Sequence, residues 1–309
     1  MQQIHNSSVK NKQNSKFMAS YNKHSNCLVC EQSQLSTIIG YEKAFLVKCR
    51  DCGFVFSERI PSVEELDNHY KNYGSNFFCS ELTIKRYNEI LDKMEPFRKT
   101  GRLLDVGCGI GFFLDEAKKR GWEVYGTEFS ERLIGLLRDK GITIHEGQLN
   151  SENYEDGFFD VVTSFEVIEH INNPTSEINQ IAKLIRKGGL VYLTTPNFNS
   201  LLRRKLKIQY NVINYPEHLS YYTPSTLTRL FTSNGFKRLK VETTGISLTR
   251  LRTSQGTSAQ KYVSASSDDE KLRQQMDEKW YLGLAKTIVN NGLTAIGSGD
   301  SLKGWFIKK

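Results

Sequence analysis

Short apolar runs alternate with amphipathic stretches from Arg102 onward. The runs RLLDVG, WEVYGTE, GITIHEG, FFDVVTSFE and GGLVYLTTP have the length and composition of buried strands. The stretches GFFLDEAKKRG, SERLIGLLRDKG and PTSEINQIAKLIRKG carry apolar residues at helical spacing and end at a glycine, as helix C-termini often do. Strands that alternate with helices predict a doubly wound α/β fold on a largely parallel sheet.

The first of these strands ends in a glycine-rich turn, DVGCGIG. It places Gly107, Gly109 and Gly111 before a helix, where a ligand can approach the backbone and the free N–H groups of the helix N-terminus. The spacing differs from the G-x-G-x-x-G dinucleotide fingerprint, and the turn lacks the Lys-Ser/Thr pair of a P-loop. Glu128 ends the second strand, where a carboxylate can bind both hydroxyls of a ribose. The alternative for Glu128 is a solvated strand end.

These motifs together resemble those of class I S-adenosylmethionine-dependent methyltransferases. The series is LLDVGCGIGFFL, GTEFS, FFDVVTSFEVIEHI and LIRKGGLVYLTTPN, and the final GDSLKGWFIKK resembles the last, antiparallel strand of that family. The resemblance implies a seven-stranded sheet of order 3-2-1-4-5-7-6. It also implies a set of cofactor-binding residues, namely Asp105, Gly107, Gly109, Gly111, Glu128, Phe129, Gln148, Leu149, Phe165 and Glu166.

The same resemblance implies a role for most of these residues. Asp105 and the three glycines would hold the methionine end of the cofactor, and Glu128 would bind its ribose. Phe129 would flank the adenine near Gln148, which stands where the family often has aspartate. Two further residues would line the sulfonium end, namely Phe165 and Glu166.

Two histidines are candidates for removing a proton from the methyl acceptor. His170 follows the fourth strand of the α/β pattern, and His218 follows the fifth, so both are expected at the sheet edge where ligands of open α/β folds bind. His218 lies in NYPEHLSYYTP, which has neither the helical nor the strand period. The alternative for each is a structural histidine.

Four of the six cysteines, Cys27, Cys30, Cys49 and Cys52, form a C-x2-C-x18-C-x2-C array. This is the spacing of a zinc ribbon, in which each turn directs two thiolates at one tetrahedral ion. Disulfides are the alternative in an oxidising compartment, and a redox pair would need only one C-x2-C turn. Because a segment this short buries little core and all four ligands are thiolates, the array predicts a structural zinc ion.

The ribbon and the EHLSYY segment together resemble nucleotide-sugar C-methyltransferases. That narrower resemblance implies catalytic roles for Tyr215, Glu217, His218 and His170. Those enzymes continue into a second α/β domain, whereas this sequence ends at Lys309. We therefore expect a small-molecule or glycan acceptor, such as a sugar or surface-polysaccharide precursor, and leave the acceptor atom open.

The motifs also suggest a division of the chain. We expect a disordered tail at 1–25, the zinc ribbon at 26–60, a helical connector or lid at 61–98 and the methyltransferase domain at 99–309. Within that domain, the polar segment 249–297 predicts a helical insert.

Composition fits a globular protein, with 38% hydrophobic and 25% charged residues among 309. The net charge of +8 suits an anionic partner such as RNA, although lysines that aid solubility explain it equally well. No apolar run approaches the roughly 20 residues of a membrane span, and the polar opening lacks a secretory signal. The sequence therefore predicts a cytoplasmic protein.

Two other functions remain open at this point. An RNA base methyltransferase is one, but SFEVIEH lacks an Asn/Asp-Pro-Pro-Tyr motif and no basic strip interleaves with aromatic residues. A non-catalytic protein that binds a partner is the other. The intact glycine turn and Glu128 argue against it, because a scaffold has no need of them.

Overall fold

The computed structural model of the chain describes residues 22–70, 79–247, 250–252 and 280–309. Most of the predicted tail and much of the predicted insert lie outside these residues. No helix within the described ranges is long and apolar enough to cross a membrane.

A small antiparallel sheet forms near the N-terminus. Its strands, in spatial order, are β1 (Leu35–Thr37), β2 (Leu46–Cys49), β3 (Val55–Ser57) and β9 (Ser220–Tyr221). Strand β9 comes from NYPEHLSYYTP and pairs Tyr221 with Val55 and Ser220 with Phe56. A strand of two residues is too short to show a period of two, which is why the sequence pattern gave no sign of it.

A seven-stranded sheet forms the centre of the α/β region. Its strands are β4 (Arg102–Val106), β5 (Glu123–Glu128), β6 (Thr143–Glu146), β7 (Phe159–Phe165), β8 (Ile185–Pro196), β10 (Phe236–Thr244) and β11 (Ser301–Lys308). Their spatial order is β10-β11-β8-β7-β4-β5-β6, and β11 runs antiparallel to both of its neighbours. Counted within this sheet, the order is 6-7-5-4-1-2-3, which confirms the predicted fold and its antiparallel last strand.

Eight helices are described in full. They are α1 (Val63–Tyr70), α2 (Glu81–Met94), α3 (Phe112–Lys119), α4 (Glu131–Asp139), α5 (Pro174–Leu184), α6 (Leu201–Leu206), α7 (Pro224–Ser233) and α8 (Trp280–Ala295). Helices α2, α3 and α4 contribute to one apolar cluster, and α5 and α7 contribute to another. Leu103 belongs to the first cluster and Leu104 to the second, so β4 is buried on both faces, as a central parallel strand should be.

Candidate active site

The glycine turn leaves open space above its middle residue. All three glycines have positive φ, at 67°, 54° and 78° for Gly107, Gly109 and Gly111. A Cβ on Gly107 would lie 2.7 Å from Val167 Cγ2, and one on Gly111 would lie 2.5 Å from Leu137 Cδ2. A Cβ on Gly109 would meet no atom within 4 Å in the described parts of the chain. A ligand can therefore lie directly against the backbone at Gly109.

Asp105 is a buried carboxylate at the end of β4, with 3% of its surface exposed. Its Oδ1 accepts a hydrogen bond of 2.7 Å from Thr163 Oγ1 on the neighbouring strand β7. Burial raises the pKa of Asp105 to about 7. The turn that follows is tied to β5, because the Gly107 N–H donates to Thr127 Oγ1 at 2.9 Å. This carboxylate lies beside the glycine turn, as its predicted role at the methionine end requires.

Glu128 and Phe129 lie at the adjacent strand end, before α4. The Oε1 atom of Glu128 accepts hydrogen bonds from the backbone N–H groups of Phe129 at 2.9 Å and Ser130 at 3.0 Å. These two bonds hold the carboxylate in place at the mouth of the site. The Phe129 ring is 68% exposed and can stack on a planar base. Both positions suit the ribose and adenine roles predicted from the sequence.

Two further predicted cofactor-binding residues, Gln148 and Leu149, differ in their exposure to solvent. The Gln148 side chain is exposed, whereas Leu149 is 3% exposed and packs in the core. Gln148 can therefore offer its amide to a ligand, but the Leu149 side chain chiefly fills the protein interior.

Phe165 ends β7 and Glu166 follows it, close to the glycine turn. The Phe165 ring packs at 4.9 Å from Phe113 and 5.8 Å from Tyr87, measured between ring centroids. Glu166 has a φ of 53°, and its carboxylate lies 3.8 Å from the Arg250 guanidinium. Positive φ is unusual for glutamate and is often found at functional sites. Tyr87 and Arg250 were not among the residues suggested by the sequence, because each lies far from the motifs along the chain.

His170 and His218 pack against each other, with ring centroids 4.8 Å apart. His170 Nδ1 lies 2.8 Å from the Glu217 carbonyl oxygen, and His218 Nδ1 lies 2.7 Å from that of Val212. Because a carbonyl oxygen only accepts, each Nδ1 carries the proton and each Nε2 carries a lone pair. Burial lowers the pKa of both rings, that of His218 to about 3 with help from the neighbouring His170. Both rings are therefore neutral near pH 7.

The other two residues of the predicted catalytic set lie to the side of this pair. The Glu217 carboxylate accepts a hydrogen bond from the Asn214 amide and lies 3.5 Å from His69 Nε2. The Tyr215 ring packs 5.0 Å from Phe45 and 5.4 Å from the Arg59 guanidinium. Glu217 thus reaches the histidine pair through its backbone carbonyl, whereas Tyr215 faces the N-terminal sheet.

Glu169 is a residue of this site that the sequence did not suggest. It lies between the two motif residues Glu166 and His170 but is only 2% exposed, since the 3-10 turn Ile168–His170 directs it inward. Its Oε2 accepts a hydrogen bond of 2.8 Å from Thr195 Oγ1. The spacing of two glutamates and a histidine in EVIEH was the available signal, but a glutamate in a polar turn usually lies in solvent.

The four cysteines of the predicted ribbon form one cluster. The Sγ atoms of Cys27 and Cys52 lie 3.5 Å apart, as do those of Cys30 and Cys49, and all four lie within 4.8 Å of one another. A disulfide would need about 2.05 Å, and the thiols are free. A tetrahedral zinc ion with Zn–S bonds of about 2.3 Å has S–S edges of about 3.8 Å. The cluster therefore fits one such ion.

Known proteins with similar sequences are methyltransferases. The ubiquinone biosynthesis O-methyltransferase of Aeromonas salmonicida (strain A449) is 30% identical over 142 residues, which are 42% of this chain and 60% of that protein. The enzyme of the same name from Pseudomonas paraeruginosa (strain DSM 24068 / PA7) is 35% identical over 148 residues, or 45% and 63% of the two chains. The chain thus spans about three fifths of the length of these relatives.

Solved structures share the fold at low identity. A SAM-dependent methyltransferase from Archaeoglobus fulgidus matches 79% of this chain and 98% of its own, with a TM-score of 0.50 and 17% identity. Phosphoethanolamine N-methyltransferase 2 of Haemonchus contortus, in complex with S-adenosyl-L-methionine, matches 82% of this chain and 61% of its own, with a TM-score of 0.51 and 19% identity. A family model described as a methyltransferase domain matches residues 80–241. Because that match covers more than half of the chain, the chain belongs to the methyltransferase-domain family.

Proposed function

We propose that the protein transfers the methyl group of S-adenosylmethionine to a hydroxyl group of a small molecule or glycan, such as a sugar or surface-polysaccharide precursor. The observation that carries this proposal is the neutral His170–His218 pair. His170 lies in the turn after β7, and the carboxyl end of β7 is at the same sheet edge as the glycine turn after β4. The similar relatives named as O-methyltransferases support an oxygen acceptor. A hydroxyl needs help with proton removal, which neutral imidazoles can provide.

The residues around the glycine turn fit the cofactor. Asp105 would face its amino group, Gly109 would lie against its methionine end, and Glu128 would accept hydrogen bonds from its ribose hydroxyls. Phe129 would stack on its adenine. The sulfonium of the bound cofactor supplies an electrophilic methyl group, so the remaining task of the protein is to orient the acceptor and remove one proton.

The histidine pair would assist that proton removal. Hydrogen bonds from Nδ1 to two backbone carbonyls fix both rings, and an Nε2 lone pair would accept the proton. The sequence prediction is that His218 takes the proton directly as a general base. A positioned base of this kind contributes roughly 10² to 10⁴ in rate.

Calorimetry with S-adenosylhomocysteine tests the cofactor site. We expect binding by the unmodified protein and at least about tenfold weaker binding by Glu128→Ala, because the substitution removes charge-assisted hydrogen bonds to the ribose. Glu131→Ala, on the exposed first turn of α4, is the matched control and should bind as the parent does. An absence of heat with the parent protein would contradict the proposal.

A labelled cofactor offered with sugar, phenol and RNA acceptors tests the reaction. His218→Ala should lower turnover by roughly two orders of magnitude or more with unchanged cofactor affinity. His145→Ala, which removes a half-buried histidine on β6, is the control. Methylation of RNA in preference to the small acceptors would contradict the proposed acceptor class.

We also propose that the N-terminal unit, residues 26–60, is a zinc ribbon held by Cys27, Cys30, Cys49 and Cys52. The single cluster of four thiols supports this proposal. Residues 61–98 would then be the helical connector and 99–309 the methyltransferase domain. Metal analysis of the purified chain should find about one zinc ion per molecule, as a tetrahedral thiolate site binds one ion. A Cys27→Ser, Cys52→Ser variant that retained this zinc would exclude the site.

A further inference from the structure

We infer that Arg250 binds an anionic group of the methyl acceptor, either a carboxylate or a phosphate. The inference rests on the proposed function and specifies its substrate class, a hydroxylated molecule that also carries a negative charge. The Arg250 guanidinium lies beside the end of β7, where its Nη2 atom is 3.8 Å from Glu166 Oε2. It is therefore a permanent positive charge at the ligand-binding edge of the main sheet.

The backbone around Arg250 is held in place by contacts on both sides. The Arg250 N–H donates to Ser247 Oγ at 3.0 Å, and the Leu251 N–H donates to the Ser247 carbonyl oxygen at 3.1 Å, as at the start of a helix. The Ser247 N–H in turn donates to the buried Asp300 at 2.8 Å, and Leu251 packs against an apolar cluster that contains Tyr210. These contacts fix the point from which the arginine side chain extends.

The Arg250 guanidinium uses few of its hydrogen-bond donors. Within the described ranges of the chain, it contacts the Tyr210 hydroxyl at 3.5 Å and Glu166 at 3.8 Å, and the second distance is too long for a hydrogen bond. Arginine has five N–H donors in a planar fork, and this fork binds the two oxygens of a carboxylate or phosphate in parallel. Because 28% of the side-chain surface is exposed, such an anion can reach it.

The groups around Arg250 leave part of its positive charge unbalanced. Burial raises the pKa of Tyr210, so this phenol is neutral near pH 7. Burial and the neighbouring Glu166 raise the pKa of Glu169 well above its usual range, which favours the neutral form of that carboxyl group. Glu166 itself is predicted at the sulfonium end of the cofactor, where it would have a second cationic partner. An anionic acceptor would then supply the charge that balances Arg250.

Arg250 lies near the histidine pair as well as near Glu166. Burial, the neighbouring His170 and, more weakly, the charge of Arg250 lower the pKa of His218 to about 3. Tyr210, which Arg250 contacts, lines the same small cavity as His218. An acceptor whose anionic group binds Arg250 would therefore be oriented with its hydroxyl toward the predicted base, and such orientation lowers the barrier to transfer.

Matched acceptors offered with labelled cofactor test the substrate class. The sugars are glucose, glucuronate and glucose 6-phosphate, and the phenols are phenol, hydroxybenzoate and hydroxyphenyl phosphate. We expect kcat/KM for at least one anionic member to exceed that of its neutral counterpart by about tenfold or more, because a charge-assisted pair of hydrogen bonds is gained. The preferred anionic member distinguishes a carboxylate from a phosphate.

Substitution of Arg250 tests whether this residue causes the preference. Arg250→Gln should lower kcat/KM for the anionic acceptor by about 10- to 100-fold, mainly through KM, and leave the neutral counterpart within about twofold. Arg250→Lys keeps the charge but loses the planar fork, so its loss should be smaller. Arg229→Gln, an exposed arginine on α7, is the matched control.

Calorimetry at saturating S-adenosylhomocysteine measures the same anions without turnover. The best anionic acceptor should bind the parent and Arg229→Gln alike, and Arg250→Gln about tenfold or more weakly. Cofactor binding shows which variants keep the fold, and Arg250→Lys carries the test if Arg250→Gln does not fold.

Three results would overturn the inference while leaving the proposed function intact. They are equal use of neutral and anionic acceptors, an equal loss with both kinds of acceptor in the Arg250 variants, and a parent protein that neither binds nor methylates any anionic member. A parent protein that binds the anions through Arg250 but does not bind S-adenosylhomocysteine would instead refute the proposed function.

Discussion

The side chain of Asp105 is expected to aid ligand binding when it is ionised but to lower the stability of the fold. Its folded-state pKa of about 7 lies above the ordinary value of a carboxyl group near 4, because the side chain is buried. Below about pH 4 the group is protonated in both states and costs nothing. As the pH rises from about 4 to about 7, the unfolded state ionises the group while the folded state still holds the proton, so the free energy of unfolding falls.

Asp105→Asn should remove this pH-dependent loss. The stability of the variant relative to the parent should rise by roughly 4 kcal/mol between about pH 4 and pH 8, the value of three pKa units. Urea unfolding at several pH values measures the difference, and Asp139→Asn, an exposed residue on α4, is the control. The same substitution should weaken S-adenosylhomocysteine binding at about pH 8, because the carboxylate charge is lost. A constant difference in stability across this range would contradict the prediction.

Gly109 and Gly111 share a positive φ but should respond differently to alanine. Both variants should lose about 1 to 2 kcal/mol of stability, because alanine is strained in the left-handed backbone conformation. Only Gly111→Ala also drives a Cβ to within 2.5 Å of Leu137 in the core, which should cost about 1 to 3 kcal/mol more. Gly109→Ala should instead lose cofactor affinity, because its Cβ occupies the open space above the turn. Urea unfolding and calorimetry separate the two effects, and normal cofactor binding by Gly109→Ala would place the ligand elsewhere.

Among the strands, those of the parallel sheet could be predicted from the sequence, whereas the pairing of β9 with β3 of the N-terminal unit could not. Strands β4, β5, β7 and β8 are largely buried runs, because a central strand is buried on both faces, and such runs are visible in any window. Strand β9 has two residues, and its partner β3 lies more than 160 positions earlier. Only tertiary contacts define β9, so no local sequence pattern predicts this strand.

The same limit applies within the site. The glycine turn and Glu128 could be predicted because their chemistry is local to one strand end. The burial of Glu169 depends on a 3-10 turn and on Thr195 of the adjacent strand, and the position of Arg250 depends on a segment far along the chain. Neither follows from spacing in the sequence. The sequence suggested the two histidines, whereas the structure also places the Glu169 side chain beside them.

Strand β9 connects the cysteine cluster to the active site. Cys49 ends β2, which pairs with β3, and β3 pairs with β9, which begins two residues after His218. The Leu219 N–H then donates to the Glu169 carbonyl oxygen at 2.8 Å. The zinc ribbon would therefore position the histidine pair from outside the methyltransferase sheet.

Cys49→Ser should lower methyl transfer by about tenfold or more, because a displaced β9 moves His218 away from its working position. Cofactor affinity should change little, since the glycine turn and Glu128 belong to the other sheet. Turnover and calorimetry on the same preparation measure the two quantities. Removal of zinc from the parent by a chelator should reproduce the loss, and added zinc should restore it. Equal losses in turnover and cofactor affinity would show that the ribbon supports the whole fold instead.

At the scale of the whole molecule, the two edges of the main sheet carry different tasks. The carboxyl ends of β4, β5 and β7 carry Asp105, Glu128 and Glu166, which form the candidate site. The amino ends carry a partly buried ion pair in which Arg186 Nε donates to Asp160 Oδ1 at 2.6 Å. Asp160 Oδ2 accepts hydrogen bonds from three consecutive backbone N–H groups, those of Lys99, Thr100 and Gly101. This cluster joins the starts of three neighbouring strands far from the ligand-binding edge.

Asp160→Asn should therefore reduce stability without touching the site. Burial alone would raise the pKa of Asp160, but Arg186 and the three N–H groups together lower it. The stabilisation is thus present above about pH 4 and is lost as the pH falls through the lowered pKa. Near pH 7 the variant should lose about 3 to 5 kcal/mol, because it removes the charge of the fully buried Asp160 and leaves Arg186, 15% exposed, without a charged partner.

Urea unfolding measures this loss, and S-adenosylhomocysteine calorimetry well below the melting temperature should give the parent affinity. Asp156→Asn, an exposed residue in the turn before β7, is the matched control for a lost surface charge. A fall in cofactor affinity in Asp160→Asn would mean that the two edges are coupled through the strands. A stability change below about 1 kcal/mol, the range of an exposed ion pair, would mean that the pair contributes no more than a surface contact. Either result would show that the division of tasks between the two edges is wrong.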